Sequence, residues 1–204
     1  MRYYEFIKRI IDIIVSFVAI IVFIPLFLVL IVLIRHGSKG AAFFRQQRAG
    51  RGARPFTMYK FRTMRADAEP FGDSPNSGDD PRITRIGRFL RETSLDELPQ
   101  LFNVLAGDMS LVGPRPLYVS QIAEWSDYRK RRLEVKPGIT GLAQVSGRGS
   151  LTIEQKLDLD VLYVDNRGLL LDLKIILTTL RQVVNRKGVY EVRYSDKLHK
   201  RSSK

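Results

Sequence analysis

"IIDIIVSFVAIIVFIPLFLVLIVLI", residues 10–34, decides how this chain is organised. Only Asp12 and Ser16 are polar in the run, and Pro25 falls near its middle. As a straight α-helix it extends about 37 Å, more than the ~30 Å hydrocarbon core of a bilayer requires. It is too long for the core of a signal peptide, and no small-residue cleavage site follows it. The flanks bear on whether it crosses. Arg2, Lys8 and Arg9 precede it, while Arg35, Lys39, Arg45, Arg48, Arg51, Arg54, Lys60, Arg62 and Arg65 follow before the first acid, Asp67. Both ends therefore favour the cytoplasmic face. A helix that enters, bends at Pro25 and returns to the same leaflet satisfies both ends, because proline removes a backbone donor and clashes with the carbonyl four residues back. A kinked span satisfies only one end, yet proline is tolerated in membrane helices. On these grounds the two topologies stand level. Asp12 is expected at interface depth, paired with Lys8 or Arg9, since a carboxylate deep in lipid is costly.

The rest of the 204 residues suits one domain. Lys and Arg number 34 against 21 Asp and Glu, a formal charge of +13, so the partners are anionic: nucleic acid, acidic lipid or phosphorylated substrates. The absence of cysteine excludes disulfides, thiolate nucleophiles and Cys-ligated zinc. His36 and His199 lie in a polar loop and a basic tail and read as solvated surface.

The expected fold is α+β and mostly helical. "AAFFRQQ" and "PFTMYKFRTM" are expected to pair as a small β-hairpin across "AGRGAR". Residues 66–82 read as a loop rich in Pro, Gly, Asp and Ser. "ITRIGRFLRET" places Ile83, Ile86, Phe89 and Leu90 on one helical face, and "LPQLFNVL" continues after a junction at Ser94. "PLYVSQIAEWSDYRKRRLEV" reads as one helix with Trp125, Tyr128 and Leu133 on its apolar side. "KPGITGLAQVSGRGS" is a glycine-rich break. "TIEQKLDLDVLYVDN" and "LLLDLKIILTTLRQVVNRKG" read as two further helices, the second suited either to the membrane interface or to burial on the core. The expected domains are a membrane helix over 1–36, a membrane-associated cytosolic domain over 37–188 and a basic tail over 189–204.

"TSLDELPQLFNVL", residues 93–105, sets Asp96 beside Glu97 in this basic context. Ser94 and Glu97 match the S-x-x-E capping box, which asks for no chemistry. Pro99 and the nearby Arg88, Arg91 and Arg115 strain that account. An aspartate among arginines at a helix start stays ionised, ready to act as nucleophile or metal ligand, and arginine recognises phosphate. A carboxylate meeting a diphosphate calls for a bridging divalent cation, for which Mg²⁺ is the usual choice. In "VGPRPL" the flanking prolines fix the backbone about Arg115.

Taken together, "YKFRTM", "TSLDELPQLFNVLAGDMSLVGPRP", "KPGITGLAQVSGR" and "LDLDVLYVDN", preceded by "FIKRIIDIIVSF" and Pro25, closely resemble the bacterial sugar transferase family, the monotopic polyprenyl-phosphate phosphoglycosyl transferases. The resemblance runs from about Tyr4 to Gly188. It implies transfer of a sugar-1-phosphate from a UDP-sugar to undecaprenyl phosphate with release of UMP, through a covalent phosphosugar on Asp96, with Glu97 assisting. It implies Mg²⁺ on Asp96, phosphate binding by Arg115, further substrate contacts from Arg91, Lys60, Arg88 and Arg148, and a re-entrant membrane helix broken at Pro25. It also implies a place in the bacterial inner membrane with the catalytic domain on the cytoplasmic face, in contact with acidic lipids and without nucleic acid; a homodimer is left open. The chain departs from the family pattern at Ile24 and Gly168, where serine is common. The competing reading is a non-catalytic, membrane-tethered basic protein that holds lipid or nucleic acid, in which Asp96 and Glu97 only cap a helix.

Overall fold

The computed structural model describes residues 2–68, 80–147 and 150–184. Its first element, α1 (Arg2–Gly37), is one helix long and apolar enough to cross a membrane. The helix continues through Pro25, so the break expected there is not an interruption of the helix. Along one stripe, Asp12, Ser16, Phe27, Leu30 and Ile34 are buried and Phe23 is half-buried, at spacings of three and four residues that keep one helical face on the rest of the protein. Most of the remaining circumference, including Ile14, Phe17, Val22, Leu28 and Val32, is exposed and apolar.

Contacts hold both halves of α1 to the same body. Near its start Arg9 donates to the carbonyls of Val104 and Leu105 at 2.6 and 2.9 Å, satisfying orphan acceptors at the end of α3 (Gln100–Ala106). Lys8 pairs with Asp172 at 2.6 Å, and Asp172 also accepts from the hydroxyls of Tyr4 and Tyr163 at 2.9 and 2.8 Å. Asp12 is buried and accepts from the Leu111 amide at 3.0 Å. The expected ion pair of Asp12 with Lys8 or Arg9 is thus replaced by a backbone donor, because both cations are drawn to acceptors elsewhere. Toward its C-terminal end Phe27, Leu30 and Ile34 join Phe61 and Leu90 in one core cluster, with the Phe27 ring 5.2 Å from that of Phe61 and 5.8 Å from that of Phe102. Burying each of these large side chains contributes about 2 kcal/mol.

The expected hairpin is present: β1 (Phe43–Ala49) pairs antiparallel with β2 (Pro55–Phe61), from Phe43 opposite Phe61 to Ala49 opposite Pro55. Helix α2 (Arg85–Glu92) begins at Thr84, whose hydroxyl accepts from the Gly87 amide at 2.9 Å. Gly87 lies so close to the segment after β2 that a Cβ there would meet the Thr63 carbonyl oxygen at 1.9 Å. Leu90 is buried on this helix, but Phe89 is exposed, which narrows its apolar face relative to the sequence expectation. Next come α3 and β3 (Ser110–Val112), which pairs in parallel with β4 (Gly138–Thr140).

The single helix expected between residues 116 and 135 is not formed. Two 3₁₀ segments, Val119–Glu124 and Arg131–Glu134, flank a four-residue helix α4 (Asp127–Lys130). Trp125 is buried as expected, whereas Tyr128 is exposed. The irregular path is held where Arg132 turns inward: its guanidinium lies 4.9 Å from the Trp125 ring centroid and pairs with buried Asp160. The glycine-rich break contains β4 and a short α5 (Leu142–Ser146). The final helices, α6 (Ile153–Asn166) and α7 (Leu169–Val184), match their expected positions, and Thr152 and Gln155 form a capping box at the start of α6. On α7, Ile175 and Asp172 are buried, while Leu170, Leu173, Leu177 and Leu180 are exposed.

Candidate active site

The 3₁₀ turn Leu95–Glu97 carries the two acids between α2 and α3. Ser94, just before it, adopts a left-handed conformation with φ of 58° and makes no side-chain capping bond. The expected capping box is therefore absent, because the Glu97 carboxylate faces elsewhere. It accepts from Lys60 Nζ at 2.7 Å and from Arg115 Nη2 at 3.0 Å, both through Oε1. A non-glycine residue in this region stores strain of about 1–3 kcal/mol, which the surrounding contacts must hold.

Two further anchors fix the turn. Lys60 lies on β2, and β2 is tied to α3 by Asn103, which is fully buried, accepts from the Tyr59 amide at 3.0 Å and donates to the Thr57 carbonyl at 2.7 Å. Arg115 lies in the Pro114–Pro116 turn after β3, and its carbonyl accepts from Arg132 Nη2 at 2.5 Å. Arg132 in turn pairs with Asp160 at 2.8 and 3.0 Å, both side chains being almost fully buried. Burial pushes the Asp160 carboxyl up to about 6 despite the Arg132 charge beside it. Neither Arg132 nor Asp160 stood out in the sequence, although Asp160 sits on the apolar face of α6 with Leu157, Val161 and Val164, a placement that signals a buried partner.

The two adjacent carboxylates occupy opposite situations. Glu97 is held by two cations, and Lys60 and Arg115 outweigh the cost of its burial to bring it down to about 2. Asp96 accepts no hydrogen bond among the described residues, its nearest cation being Lys60 Nζ at 4.0 Å. Burial, together with the Glu97 charge, pushes Asp96 up to about 6 against the pull of Lys60, Arg91 and Arg115. Asp96 is therefore ionised at neutral pH, but by a narrower margin than its arginine-rich surroundings suggested. Arg91 Nε donates to the Thr63 hydroxyl at 2.9 Å, which holds it on the same side as the pair. Arg88 lies exposed one turn earlier on α2. Arg148 and the 189–204 tail lie outside the described residues, as does most of the 66–82 loop.

Among the described residues no group of three or more His, Cys, Asp or Glu side chains could hold a metal. Asp96, which accepts no hydrogen bond among the described residues, lies beside Lys60. That donor set fits Mg²⁺, which is commonly held by one or two carboxylates with substrate phosphates and water completing its shell.

An apolar helix docked on a compact domain, with an open carboxylate ringed by Lys60, Arg91 and Arg115, defines a membrane-associated protein equipped for phosphate chemistry. The sequence pattern of the bacterial sugar transferases matches residues 3–186, and the chain belongs to that family. It is 46% identical over 171 residues to the uncharacterized sugar transferase EpsL of Bacillus subtilis, covering 84% of this chain and 83% of that one. It is 43% identical over 200 residues to the galactosyl transferase CpsE of Streptococcus agalactiae, covering 90% of this chain but 44% of that one. A UDP-glucose:undecaprenyl-phosphate glucose-1-phosphate transferase of Caulobacter vibrioides is 41% identical over 196 residues, covering 90% of this chain and 72% of that one. The chain thus spans most of the EpsL protein and less than half of CpsE.

Proposed function

We propose that this protein transfers a sugar-1-phosphate from a UDP-sugar to undecaprenyl phosphate, releasing UMP and forming undecaprenyl-diphosphate-sugar, in the first membrane step of a bacterial glycan. The observation that carries this reading is the unequal pair: Glu97 is engaged with Lys60 and Arg115, while Asp96 beside it accepts no hydrogen bond among the described residues. The Caulobacter relative's name describes a reaction of this kind.

In the first step an Asp96 carboxylate oxygen attacks the sugar-bearing phosphorus. The bond from that phosphorus to the bridging oxygen breaks, and its electron pair leaves with UMP. In the second, a phosphate oxygen of undecaprenyl phosphate attacks the same phosphorus, and the Asp96 carboxylate departs unchanged. Splitting the transfer avoids bringing two polyanions together at once. Arg115 and Lys60 can pass from Glu97 to substrate phosphate, and Arg91 adds positive charge on the Asp96 side. Mg²⁺, when bound through Asp96 and the substrate, would neutralise phosphate charge. Glu97 keeps Lys60 and Arg115 in place between turnovers.

The apolar outer surface of α1 and the exposed leucines of α7 support a catalytic domain seated on the membrane, and the basic residues flanking α1 suit the cytoplasmic face and acidic lipids. The contacts of both halves of α1 with one body, together with its basic flanks, favour re-entry over crossing.

The test is UMP release from a panel of UDP-sugars with undecaprenyl phosphate and Mg²⁺. Asp96→Asn is expected to abolish it, and intact-protein mass spectrometry of the wild type to trap a phosphosugar adduct. Release of UDP in place of UMP would identify transfer of the sugar without its phosphate. The non-catalytic alternative loses its support with the capping box, since neither Ser94 nor Glu97 serves as a cap.

A further inference from the structure

On β1, beside the Arg115 turn, lies Arg48, a guanidinium with no use in the scheme above. The Ala49 amide donates to the Leu117 carbonyl at 2.9 Å, which seats the end of β1 against the segment following Arg115. The guanidinium carbon of Arg48 lies 3.7 Å from the centroid of the Tyr118 ring. Its Nη2 donates to Gln46 Oε1 at 2.5 Å, and Gln46 Nε2 donates to the Tyr118 hydroxyl at 3.0 Å. Gln46 is itself buried, so ring and amide together hold the guanidinium plane in one orientation.

Arg48 has a neutral setting. Arg129, Arg131, Arg132 and Arg82 each pair with a carboxylate, and Arg115 reaches Glu97, whereas Arg48 has no carboxylate partner among the described residues. Its Nε is buried without an acceptor. Burial and the charge of Arg115 both disfavour its protonated form. An oriented cation close to a second cation and lacking a counter-ion is relieved by an anion that meets both.

We propose that Arg48 is a second phosphate-binding guanidinium of the active site, acting beside Arg115 on a phosphate group of one of the two substrates, the nucleotide donor or the lipid acceptor. The proposal rests on the phosphoglycosyl transferase reading, and Gln46 and Tyr118 serve it as positioning residues.

The experiment uses the full chain in detergent or nanodiscs and the UDP-sugar that the wild type turns over. UMP release is measured with donor and acceptor varied in turn, for wild type, Arg48→Gln and Arg48→Lys. Losing a charge-assisted hydrogen bond is expected to raise one KM by roughly tenfold to a hundredfold, with a smaller change in kcat. Arg48→Lys, which keeps the charge but loses the planar fork, is expected to fall between the other two. A raised donor KM assigns Arg48 to the nucleotide, and a raised acceptor KM assigns it to the lipid phosphate. Unchanged KM values in both variants overturn the proposal. Should Arg48→Gln fail to fold by circular dichroism, Arg48→Lys decides alone: wild-type KM values for both substrates then overturn it. A thermal shift with UDP supplies a second readout, expected to shrink in the variants only if Arg48 meets the nucleotide. Wild-type protein that releases no UMP from any UDP-sugar would instead refute the function on which the proposal rests.

Discussion

At the scale of single residues, the contrast between Asp96 and Glu97 yields a pH test with a definite sign. Asp96 titrates near 6 in the folded protein, above its ordinary 3.8, so donor-side kcat/KM is expected to fall as pH drops through about 6. The same elevation means that ionising Asp96 in the fold costs stability: its contribution is favourable below the unfolded pKa and is lost as pH rises through about 6. Asp96→Asn should therefore be inactive yet more stable than wild type at pH 8, by up to about 3 kcal/mol, with the gain roughly halved at pH 5. Thermal unfolding at both pH values checks it; an equal gain at each would show that burial does not set the titration. Glu97 runs the other way, its stabilisation persisting above the unfolded pKa and lost only as pH falls toward 2. Ser94, at φ of 58°, offers a separate test. Ser94→Gly should leave stability level or slightly higher, while Ser94→Val should cost about 1–3 kcal/mol. The S-x-x-E spacing pointed to a cap because it is a local pattern, but the strongest partners of Glu97 are Lys60 and Arg115, far along the chain, and they outweigh a local bond. Charge context pointed to Arg91 and Arg115 beside Asp96, whereas Lys60, its nearest cation, was implied only by the family resemblance. The division of labour within the pair required the fold.

At the scale of elements, sequence periodicity located the hairpin, α2, α6 and α7, where local preference and tertiary packing agree. It failed between residues 116 and 135, where helical-looking residues break into 3₁₀ turns so that Arg132 can reach Asp160 and the Arg115 carbonyl. A pair separated by 28 positions leaves no periodic trace. Two substitutions probe the elements directly. Gly87→Ala should be severely destabilising, by several kcal/mol, because a Cβ would overlap the Thr63 carbonyl and lever α2, with Arg91, away from β2. Gly168→Ser should act in the opposite direction. The Gly168 carbonyl accepts from the Asp172 amide at 3.0 Å, which makes Gly168 the cap of α7, and a Cβ there meets nothing within 4 Å. Replacing glycine by serine at a cap is worth a few tenths of a kcal/mol, readable as a small rise in Tm, approximately 1 °C.

At the scale of the whole molecule, α1 was legible as membrane material from composition alone, but its topology was not. Charge on the flanks constrains only the ends of a helix, and a stripe formed by Asp12, Ser16, Phe27, Leu30 and Ile34 acquires meaning only when the surface it covers is present. Single cysteines introduced at Met1 and Gly40 of this cysteine-free chain are expected to react with an impermeant thiol reagent from the same side of sealed vesicles. Labelling from opposite sides would establish a span and would require the contacts of Arg9 or of Phe27 to be rearranged in the bilayer. The site itself depends on this larger arrangement, since Arg9 closes the end of the helix that begins just after Asp96 and Glu97.

The buried cluster of Tyr4, Lys8, Tyr163 and Asp172 joins residues up to 168 positions apart. Synthesis therefore delivers Tyr4 and Lys8 well before Tyr163 and Asp172. The apolar helix can partition into lipid long before Asp172 has been made. A nascent chain stalled ahead of residue 172 carries an apolar helix whose Lys8 still lacks its carboxylate. That contact can close only once residue 172 has been made, so it couples α7 to a correctly seated α1.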